Sequence, residues 1–363
     1  MNRRNFVQSA AAAISGLLAG CANPTSGTTA GDTSAVSRSW VMPEEGEPHR
    51  RTWMAFAASE RVWGRDLLPR VRRDQATIAT TIARFEPVSM LVRAEDQEIA
   101  RSLMPGVELV VAELDDLWMR DTGPVFVRGG GAVDFNFNGW GGKQEHRRDA
   151  KVAGVVAAQA GAERIRTDLV LEGGALEVDG EGTAIITESC VLNSNRNRGW
   201  TKTDVEEELA HLLGIRKVIW LPGIAGRDIT DGHTDFYARF AGPGVVVAGL
   251  DNDPDSFDYD VTRRHLEILR SATDAAGRPL RVEVLEGPET VRVRDDDFAA
   301  GYINFYVCNG AVIGPQFGDR RTDAAAKATL ERLFPGRTVV QIDIDGIASG
   351  GGGIHCTTQQ EPR

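Results

Sequence analysis

A cysteine near the end of the chain lies in a context that favours chemistry over packing. Cys356 follows four consecutive glycines in the segment 350–356. Glycine loses more backbone freedom on folding than other residues. Such a run is therefore unfavourable unless the loop needs a backbone conformation that other residues cannot adopt. A loop of this kind brings backbone and sulfur close to a ligand, and a thiolate is a strong nucleophile. We therefore predict that Cys356 is a catalytic nucleophile.

A histidine and an aspartate two positions apart provide the base that a thiol needs. His233 and Asp235 belong to the segment 231–235, Asp-Gly-His-Thr-Asp. If the segment is extended, both side chains face the same side, with His233 transferring protons and Asp235 accepting hydrogen bonds from a cation. The alternative is a metal pair, because histidine and aspartate also bind metals. The chain has six histidines and no further ligand cluster in its sequence, so we expect no metal and no cofactor.

Carboxylates also flank an aromatic ring in the segment 115–124. Trp118 offers its ring face to a cation, and Asp121 offers an anionic acceptor. Asp116 either binds a ligand or braces the loop. We expect Arg120 to pair with a carboxylate as a structural residue.

Three further polar residues are candidates for supporting roles. Glu172, in Leu-Glu-Gly-Gly, ends a predicted strand and is expected to orient His233; the alternative is a carboxylate that caps the turn. Asn304 is a polar residue inside the predicted strand 302–307, and either contacts a ligand or satisfies a hydrogen bond in the core. His355 points away from the site if its segment is extended, so we interpret it as structural.

These residue types suit a guanidinium, which is planar, cationic and a weak electrophile. Breaking its C–N bond needs carboxylates to hold the N–H groups, a soft nucleophile, and a proton donor so that ammonia can leave. Asp116, Asp228 and Asp231 are close in sequence to these motifs, consistent with a ligand that carries a second positive charge. Arg227 and Arg320 are also close in sequence and could instead face a carboxylate. The sequence predicts an enzyme that acts on a guanidinium.

The charge of the chain argues against nucleic-acid partners, and the context of two cysteines indicates that they have no chemical role. The formal net charge is −11, with no basic stripe, which argues against a role in nucleic-acid binding. The same charge mildly attracts cationic ligands, although salt screens this attraction over roughly 8–10 Å. Cys190 and Cys308 lie in apolar segments without metal-ligand spacing, so we predict buried free thiols.

The N-terminal residues have the features of a bacterial export signal. Residues 1–21 contain the pair Arg3 and Arg4, an apolar run, and the ending Leu-Ala-Gly-Cys21, which resembles a lipoprotein cleavage site. We expect export by the twin-arginine route, to the periplasm or cell surface, with a lipid on Cys21; the alternative is cleavage elsewhere. Residues 22–39, rich in Ser, Thr and Gly, are predicted to be a flexible linker, and residues 40–363 a single catalytic domain.

Hydrophobic periodicity predicts five helix–strand units. The predicted helices, each followed by its strand, are 66–84 and 88–92, 147–160 and 162–170, 204–213 and 217–220, 261–276 and 281–285, and 322–334 and 338–344. Additional strands are predicted at 107–112, 132–137, 182–187, 244–250 and 302–307. Five such units form either an open doubly wound sheet or a ring of blades. The ring is favoured because no glycine-rich phosphate motif follows a strand, and because the chemical motifs come from widely separated units.

The motifs resemble those of the agmatine deiminase family, a group of guanidino-modifying enzymes. The resemblance runs from Met42 to the C-terminus. The segments that carry it are 118–124 (Trp-Met-Arg-Asp-Thr-Gly-Pro), 171–174 (Leu-Glu-Gly-Gly), 231–235, 302–306 (Tyr-Ile-Asn-Phe-Tyr), 314–319 (Gly-Pro-Gln-Phe-Gly-Asp) and 350–360. The order of these segments matches the family as well as their content.

The resemblance implies a five-bladed α/β propeller, the pentein fold. It implies hydrolysis of agmatine to N-carbamoylputrescine and ammonia through a cysteine thiouronium intermediate, without cofactor. Cys356 would be the nucleophile and His233 the general acid and then base. Asp121 and Asp235 would hold the guanidinium, and Glu172 would be the partner of His233. Trp118, Asp116, Asn304 and Asp231 complete the predicted ligand contacts, and we expect a homodimer.

The export signal departs from this family, whose members are typically cytoplasmic. Exported relatives include bacterial peptidylarginine deiminase, so an exported arginine or peptidylarginine deiminase is the alternative. A second alternative is a lipid-anchored polyamine receptor without catalysis, but such a receptor would have no use for Cys356 with His233. A cysteine peptidase is disfavoured because Asp121 and Asp235 would then have no evident task.

Overall fold

The chain repeats one structural unit, a β-hairpin followed by a helix and a strand parallel to the second strand of the hairpin. The computed structural model describes residues 40–295 and 297–363, so the predicted signal, linker and lipidated Cys21 lie outside the described residues. The strands are, in chain order, β1 His49–Phe56, β2 Val88–Val92, β3 Glu108–Val111, β4 Val125–Val127, β5 Gly131–Asp134, β6 Glu163–Arg166, β7 Leu176–Val178, β8 Thr183–Thr187, β9 Lys217–Leu221, β10 Ala238–Phe240, β11 Val245–Leu250, β12 Arg281–Glu286, β13 Tyr306–Cys308, β14 Ala311–Gln316, β15 Thr338–Asp343 and β16 Gln359–Pro362.

Helices connect these strands and alternate with short turns that carry polar residues. The α-helices are α1 Glu60–Ile82, α2 Gln97–Leu103, α3 Met119–Thr122, α4 Gly139–Gly142, α5 Val152–Ala160, α6 Glu188–Val191, α7 Lys202–Leu213, α8 Tyr259–Ser271, α9 Arg320–Leu333 and α10 Asp345–Ala348. Among the described residues, no helix combines the length and apolar character required to cross a bilayer.

The strands form five separate sheets, one per blade. Four sheets have the orders β4-β5-β6, β7-β8-β9, β10-β11-β12 and β13-β14-β15. In each, the first pair is antiparallel and the second pair is parallel, which requires a crossover helix. The fifth sheet has the order β16-β1-β2-β3, in which the C-terminal strand β16 runs antiparallel to β1. The last strand of the chain thus completes the first blade, and the predicted five-bladed α/β propeller is confirmed.

Local signals explain why these segments form helices. Helix α7 starts at a capping box, in which Thr201 and Asp204 exchange side-chain and backbone hydrogen bonds, and ends at Gly214 in the left-handed conformation. Its buried side chains are Val205, Leu209, Leu212 and Leu213, which form one apolar face against the sheet of its blade. Full burial of one such side chain contributes about 1.5–3 kcal/mol. The predicted helix 204–213 therefore differs from α7 only at its start.

Several strand predictions near the polar motifs were wrong. Asn304 lies before β13 rather than inside a strand, and Glu172 precedes a 3₁₀ turn, Gly173–Ala175, rather than ending a strand. His233 precedes a second 3₁₀ turn, Thr234–Phe236, so strand alternation does not align it with Asp235. Short polar and glycine-rich segments have no periodicity of their own, and tertiary contacts determine their conformation.

Candidate active site

The cysteine loop is buried. Cys356 belongs to a 3₁₀ turn, His355–Thr357, and is 7% exposed. Its Sγ lies 3.3 Å from the side-chain nitrogen of Asn304 and 3.5 Å from Asp235 Oδ2. The structure therefore brings three of the predicted site residues into contact.

The four glycines before this turn are required because the loop backbone touches large side chains. A β-carbon at three of them would meet another side chain at 2.1–2.3 Å: Gly350 at Trp63, Gly352 at Trp118 and Gly353 at Asn304. Gly351 has φ +80°, a conformation that other residues rarely adopt. The glycine run thus lets the cysteine loop pack directly onto two tryptophans and an asparagine.

His233, Asp121 and Asp235 converge on the backbone of Gly174. A β-carbon at Gly174 would lie 2.6 Å from His233 Nδ1, 2.9 Å from Asp121 Oδ1 and 3.2 Å from Asp235 Oδ2. His233 Nδ1 is itself 3.7 Å from Asp121 Oδ1. The predicted proton carrier and both predicted guanidinium acceptors therefore share one small, buried space next to Cys356.

Glu172 links His233 to a buried arginine. Its Oε2 is 3.3 Å from His233 Nε2, and its Oε1 accepts a hydrogen bond from Arg196 Nε at 2.9 Å. Burial alone would raise the pKa of Glu172, but Arg196 and His233 lower it to about 2. Burial likewise opposes protonation of His233, yet Asp121 and Glu172 hold its pKa well above the usual value. The histidine is therefore an imidazolium at neutral pH, ready to donate a proton.

The two aspartates of the site have different partners. Asp121 accepts hydrogen bonds from Trp140 Nε1 at 3.0 Å and from the Gly174 amide at 3.1 Å, and burial raises its pKa to about 6. Asp235 Oδ2 lies 2.7 Å from His355 Nδ1. Although burial acts in the opposite direction, His355 lowers the pKa of Asp235.

One oxygen of Asp235 is available to a ligand. Oδ1 is buried and has no hydrogen-bond partner among residues 40–295 and 297–363. Buried polar atoms nearly always have partners, so an unsatisfied carboxylate oxygen in a site indicates a donor that arrives from outside. A cationic N–H donor would satisfy it best.

The thiol is protonated in the resting site. Burial, followed by the charges of Asp235 and Asp121, raises the pKa of Cys356 well above its usual value. A cation bound between the two carboxylates would offset their charges and favour the thiolate. A cationic substrate would therefore favour the thiolate of Cys356, and that thiolate could then attack the substrate.

Two residues predicted to contact a ligand are instead occupied inside the protein. Asp116 accepts hydrogen bonds from three side chains: Trp63 at 2.8 Å, Trp118 at 3.0 Å and Gln144 at 3.1 Å. It therefore braces the loop, one of its two predicted roles. Asp231 binds Arg196 at 2.9 Å and Lys143 at 2.7 Å, and its contact with a ligand stays a prediction.

Trp118 and Asn304 remain candidates for ligand contact. Trp118 is buried, with its ring 5.8 Å from that of Trp63 and its edge against the cysteine loop. Asn304 donates to Cys356 Sγ and accepts from the backbone amide of His355 at 3.0 Å. Both side chains position the cysteine loop, and their contact with a ligand stays a prediction.

Sequence reasoning missed several residues that surround the site. Trp140, Arg196, Cys190 and Glu45 carry no motif that reveals a partner far along the chain. Cys190 was correctly predicted to be a buried free thiol, as was Cys308, but its Sγ also lies 3.6 Å from Glu172 Oε2. The tryptophan among glycines at 139–142 is the one local signal that could have drawn attention to Trp140.

The described residues contain one group with metal-ligand geometry. Ligand atoms of Glu172, Cys190 and His233 lie within 4.8 Å of one another. The guanidinium of Arg196 is bound to the same carboxylate, and its positive charge disfavours a metal ion there. The alternative raised from the sequence was a metal pair of His233 and Asp235, and this group contains His233 but not Asp235.

Comparisons with known proteins agree with this geometry. The model of the Porphyromonas-type peptidyl-arginine deiminase family matches residues 41–362. A provisionally named agmatine deiminase of Streptomyces coelicolor is 46% identical over 335 residues, covering 89% of this chain and 98% of the relative. The agmatine deiminase of Pseudomonas aeruginosa is 38% identical over 354 residues, covering 88% and 95%. The solved structure of Enterococcus faecalis agmatine deiminase is 32% identical, with a TM-score of 0.85 and coverage of 90% and 96%.

Proposed function

The chain belongs to the Porphyromonas-type peptidyl-arginine deiminase family and is similar to agmatine deiminases, and we propose that it hydrolyses agmatine to N-carbamoylputrescine and ammonia. The observation that carries this proposal is the pair of buried carboxylates, Asp121 and Asp235, beside the Cys356 thiol. Such a pair fits the two sides of a planar guanidinium and has no evident use in peptide hydrolysis.

Substrate binding prepares the nucleophile. The guanidinium donates N–H bonds to Asp121 and to the unpaired Oδ1 of Asp235. These charge-assisted bonds are strong because the site is shielded from water. The positive charge of the substrate offsets the carboxylates that hold the thiol pKa high, so Cys356 gives its proton to solvent as the substrate enters and takes one back after the product leaves.

The first half of the reaction forms a covalent intermediate. The thiolate sulfur bonds to the guanidinium carbon, and the π electrons of the C=N bond move to nitrogen. The His233 imidazolium gives its proton to one amino group, the C–N bond breaks, and ammonia leaves. A thiouronium cation remains on Cys356, and His233 is now neutral.

The second half uses His233 as a base. It takes a proton from water while the oxygen bonds to the thiouronium carbon, and the C–S bond then breaks to release the thiolate. The remaining hydroxyl proton leaves the carbon product and ends on ammonia as ammonium. Glu172, held ionised by Arg196, stabilises His233 in its charged form during both steps.

Ammonia release from agmatine, free arginine and a peptidyl-arginine, measured under one condition, tests the substrate. We expect kcat/KM for agmatine to exceed that for arginine by at least about tenfold, or roughly 1.4 kcal/mol of transition-state binding. A preference for arginine or peptidyl-arginine would favour the exported arginine deiminase instead. Tight binding of polyamines with no ammonia release would favour the receptor.

Export and lipid attachment form a separate proposal, supported by the paired arginines and by Leu-Ala-Gly-Cys21. We expect the full chain to fractionate with membranes and to incorporate labelled palmitate. Cys21→Ser should abolish the label, whereas Cys308→Ser, at a buried thiol, should retain it. Labelling that survives Cys21→Ser would contradict the proposal.

A further inference from the structure

His355 lies between two buried carboxylates. Its Nδ1 is 2.7 Å from Asp235 Oδ2, its Nε2 is 2.9 Å from Glu45 Oε2, and the residue is 1% exposed. A neutral imidazole has a single N–H, so one ring nitrogen would direct a lone pair at a carboxylate oxygen. Only the imidazolium can donate to both oxygens.

The surrounding charges balance only if His355 is cationic. Glu45 also binds Arg239 at 2.7 Å and Arg120 at 3.1 Å, and Arg239 in turn binds a second glutamate at 2.8 Å. The carboxylates of this network are Glu45, Glu177 and Asp235, and its guanidiniums are Arg120 and Arg239. An unpaired buried charge costs several kcal/mol, so the third negative charge requires a third positive one.

Other groups near the ring do not supply that charge. The thiol of Cys356 follows His355 in the same turn and is protonated in the resting site. Arg120 reaches the backbone oxygen of His355 with its Nε at 3.3 Å, while its Nη2 binds Glu45. The charge of His233 also lowers the pKa of Asp235, but Asp121 pairs with that cation. The ring nitrogens of His355 contact Asp235 and Glu45, and Glu177 of the same network is close enough to interact with the ring electrostatically.

We propose that His355 is an imidazolium in the resting site, held by Glu45, that keeps Asp235 ionised and oriented toward the ligand. Glu45 and His355 are positioning residues, because they act on the ligand only through Asp235. The role of Asp235 in holding a guanidinium rests on the proposed function, but the charge state of His355 does not.

The carboxylate of Glu45 contacts residues from several blades. It belongs to the segment before β1, outside every blade, and its carboxylate also accepts the backbone amide of Val307 at 2.8 Å. Its arginine partners come from α3 and β10. One carboxylate therefore joins separate blades to the turn that carries the nucleophile.

The protonation state can be read directly by NMR of the protein labelled with ¹⁵N-histidine. Because both ring nitrogens face carboxylate oxygens, His355 should show both of them protonated at pH 7. His355→Asn identifies the signal by removing it. A neutral tautomer of His355 at pH 7 would overturn the proposal.

Kinetics test the positioning role. His355→Asn can still donate one hydrogen bond to Asp235 but is neutral, so kcat/KM should fall about 10- to 100-fold, chiefly through KM. Glu45→Gln leaves His355 with one carboxylate, so kcat/KM should fall in the same direction by about threefold to tenfold, with kcat nearly unchanged. The matched control is Glu44→Gln, at the preceding residue, which should stay within about twofold because its carboxyl pKa is already raised to about 7 by burial.

These experiments distinguish failure of the proposed role of His355 from failure of the proposed function. Unchanged kcat/KM in both His355→Asn and Glu45→Gln would reject the positioning role. If Glu45→Gln does not show a cooperative thermal transition, His355→Asn and the NMR signal decide. A doubly protonated His355 in a wild-type protein that releases no ammonia would reject the proposed function and leave the fixed cation in place.

Discussion

Asp121 and Asp235 are the same residue type in the same site, but the protein surrounds them differently. Asp121 accepts hydrogen bonds from two neutral donors, Trp140 and the Gly174 amide, while the His233 cation lies 3.7 Å away, and burial raises the pKa of Asp121 to about 6. Asp235 lies against His355, and its pKa is lowered despite equal burial. A direct hydrogen bond to a histidine, more than the depth of burial, therefore decides whether a carboxylate of this site titrates near neutral pH.

Replacing the nucleophile should have the largest effect, because both aspartates act on it. Cys356→Ser should abolish turnover, since a serine hydroxyl ionises far less readily than a thiol. Mass spectrometry of the wild-type protein quenched with substrate should show an adduct on Cys356 alone. The control is Cys308→Ser, at a buried thiol outside the site, and an adduct on Cys190 or Cys308 would contradict the assignment.

Removing one negative charge from either aspartate should be the next largest effect. Asp121→Asn and Asp235→Asn should each lower kcat/KM on the order of 10³-fold, because an amide cannot offset the guanidinium charge. Asp343→Asn, at a half-exposed carboxylate, serves as the control and should retain activity. Near-normal turnover in Asp121→Asn, together with inhibition by chelators, would favour metal chemistry instead.

The pH profile should separate the two aspartates. Asp121 must be anionic to hold the substrate, so activity should fall as the pH drops through about 6, where this carboxyl becomes protonated. Asp235 stays ionised through this range because its pKa is lowered. Measuring kcat/KM as a function of pH gives the pKa of this group in the free enzyme. If activity fell instead near pH 4, the ordinary value for an aspartate, protonation of Asp121 would not be the cause of the loss.

Removing one neutral donor from Asp121 should have the smallest effect. Trp140→Phe deletes the indole N–H that stabilises the Asp121 anion, so the acid limb should move up by about one pH unit, or about 1.4 kcal/mol. Trp220→Phe is a matched control, because the Trp220 N–H donates to Glu206 at the surface. Equal shifts in both variants would show that the effect is not local to Asp121.

Much of the chemistry could be read from the sequence because it depends on residue types in separate motifs. Cys356, His233 and the acidic residues indicated a guanidinium site, and hydrophobic periodicity predicted five units that close into a ring. Helix ends such as Thr201 with Asp204 are local, since their hydrogen bonds join residues three apart. Such features can be predicted without knowledge of the fold.

The tertiary structure decided which of these residues touch and how each is charged. His355 meets Asp235 across 120 residues and Glu45 across 310, and no local pattern encodes either pairing. The sequence left the role of Asp116 open and assigned Asp231 to the ligand, whereas contacts with distant side chains occupy both. A pKa depends on burial and on neighbouring charges, and both quantities exist only once the chain has folded.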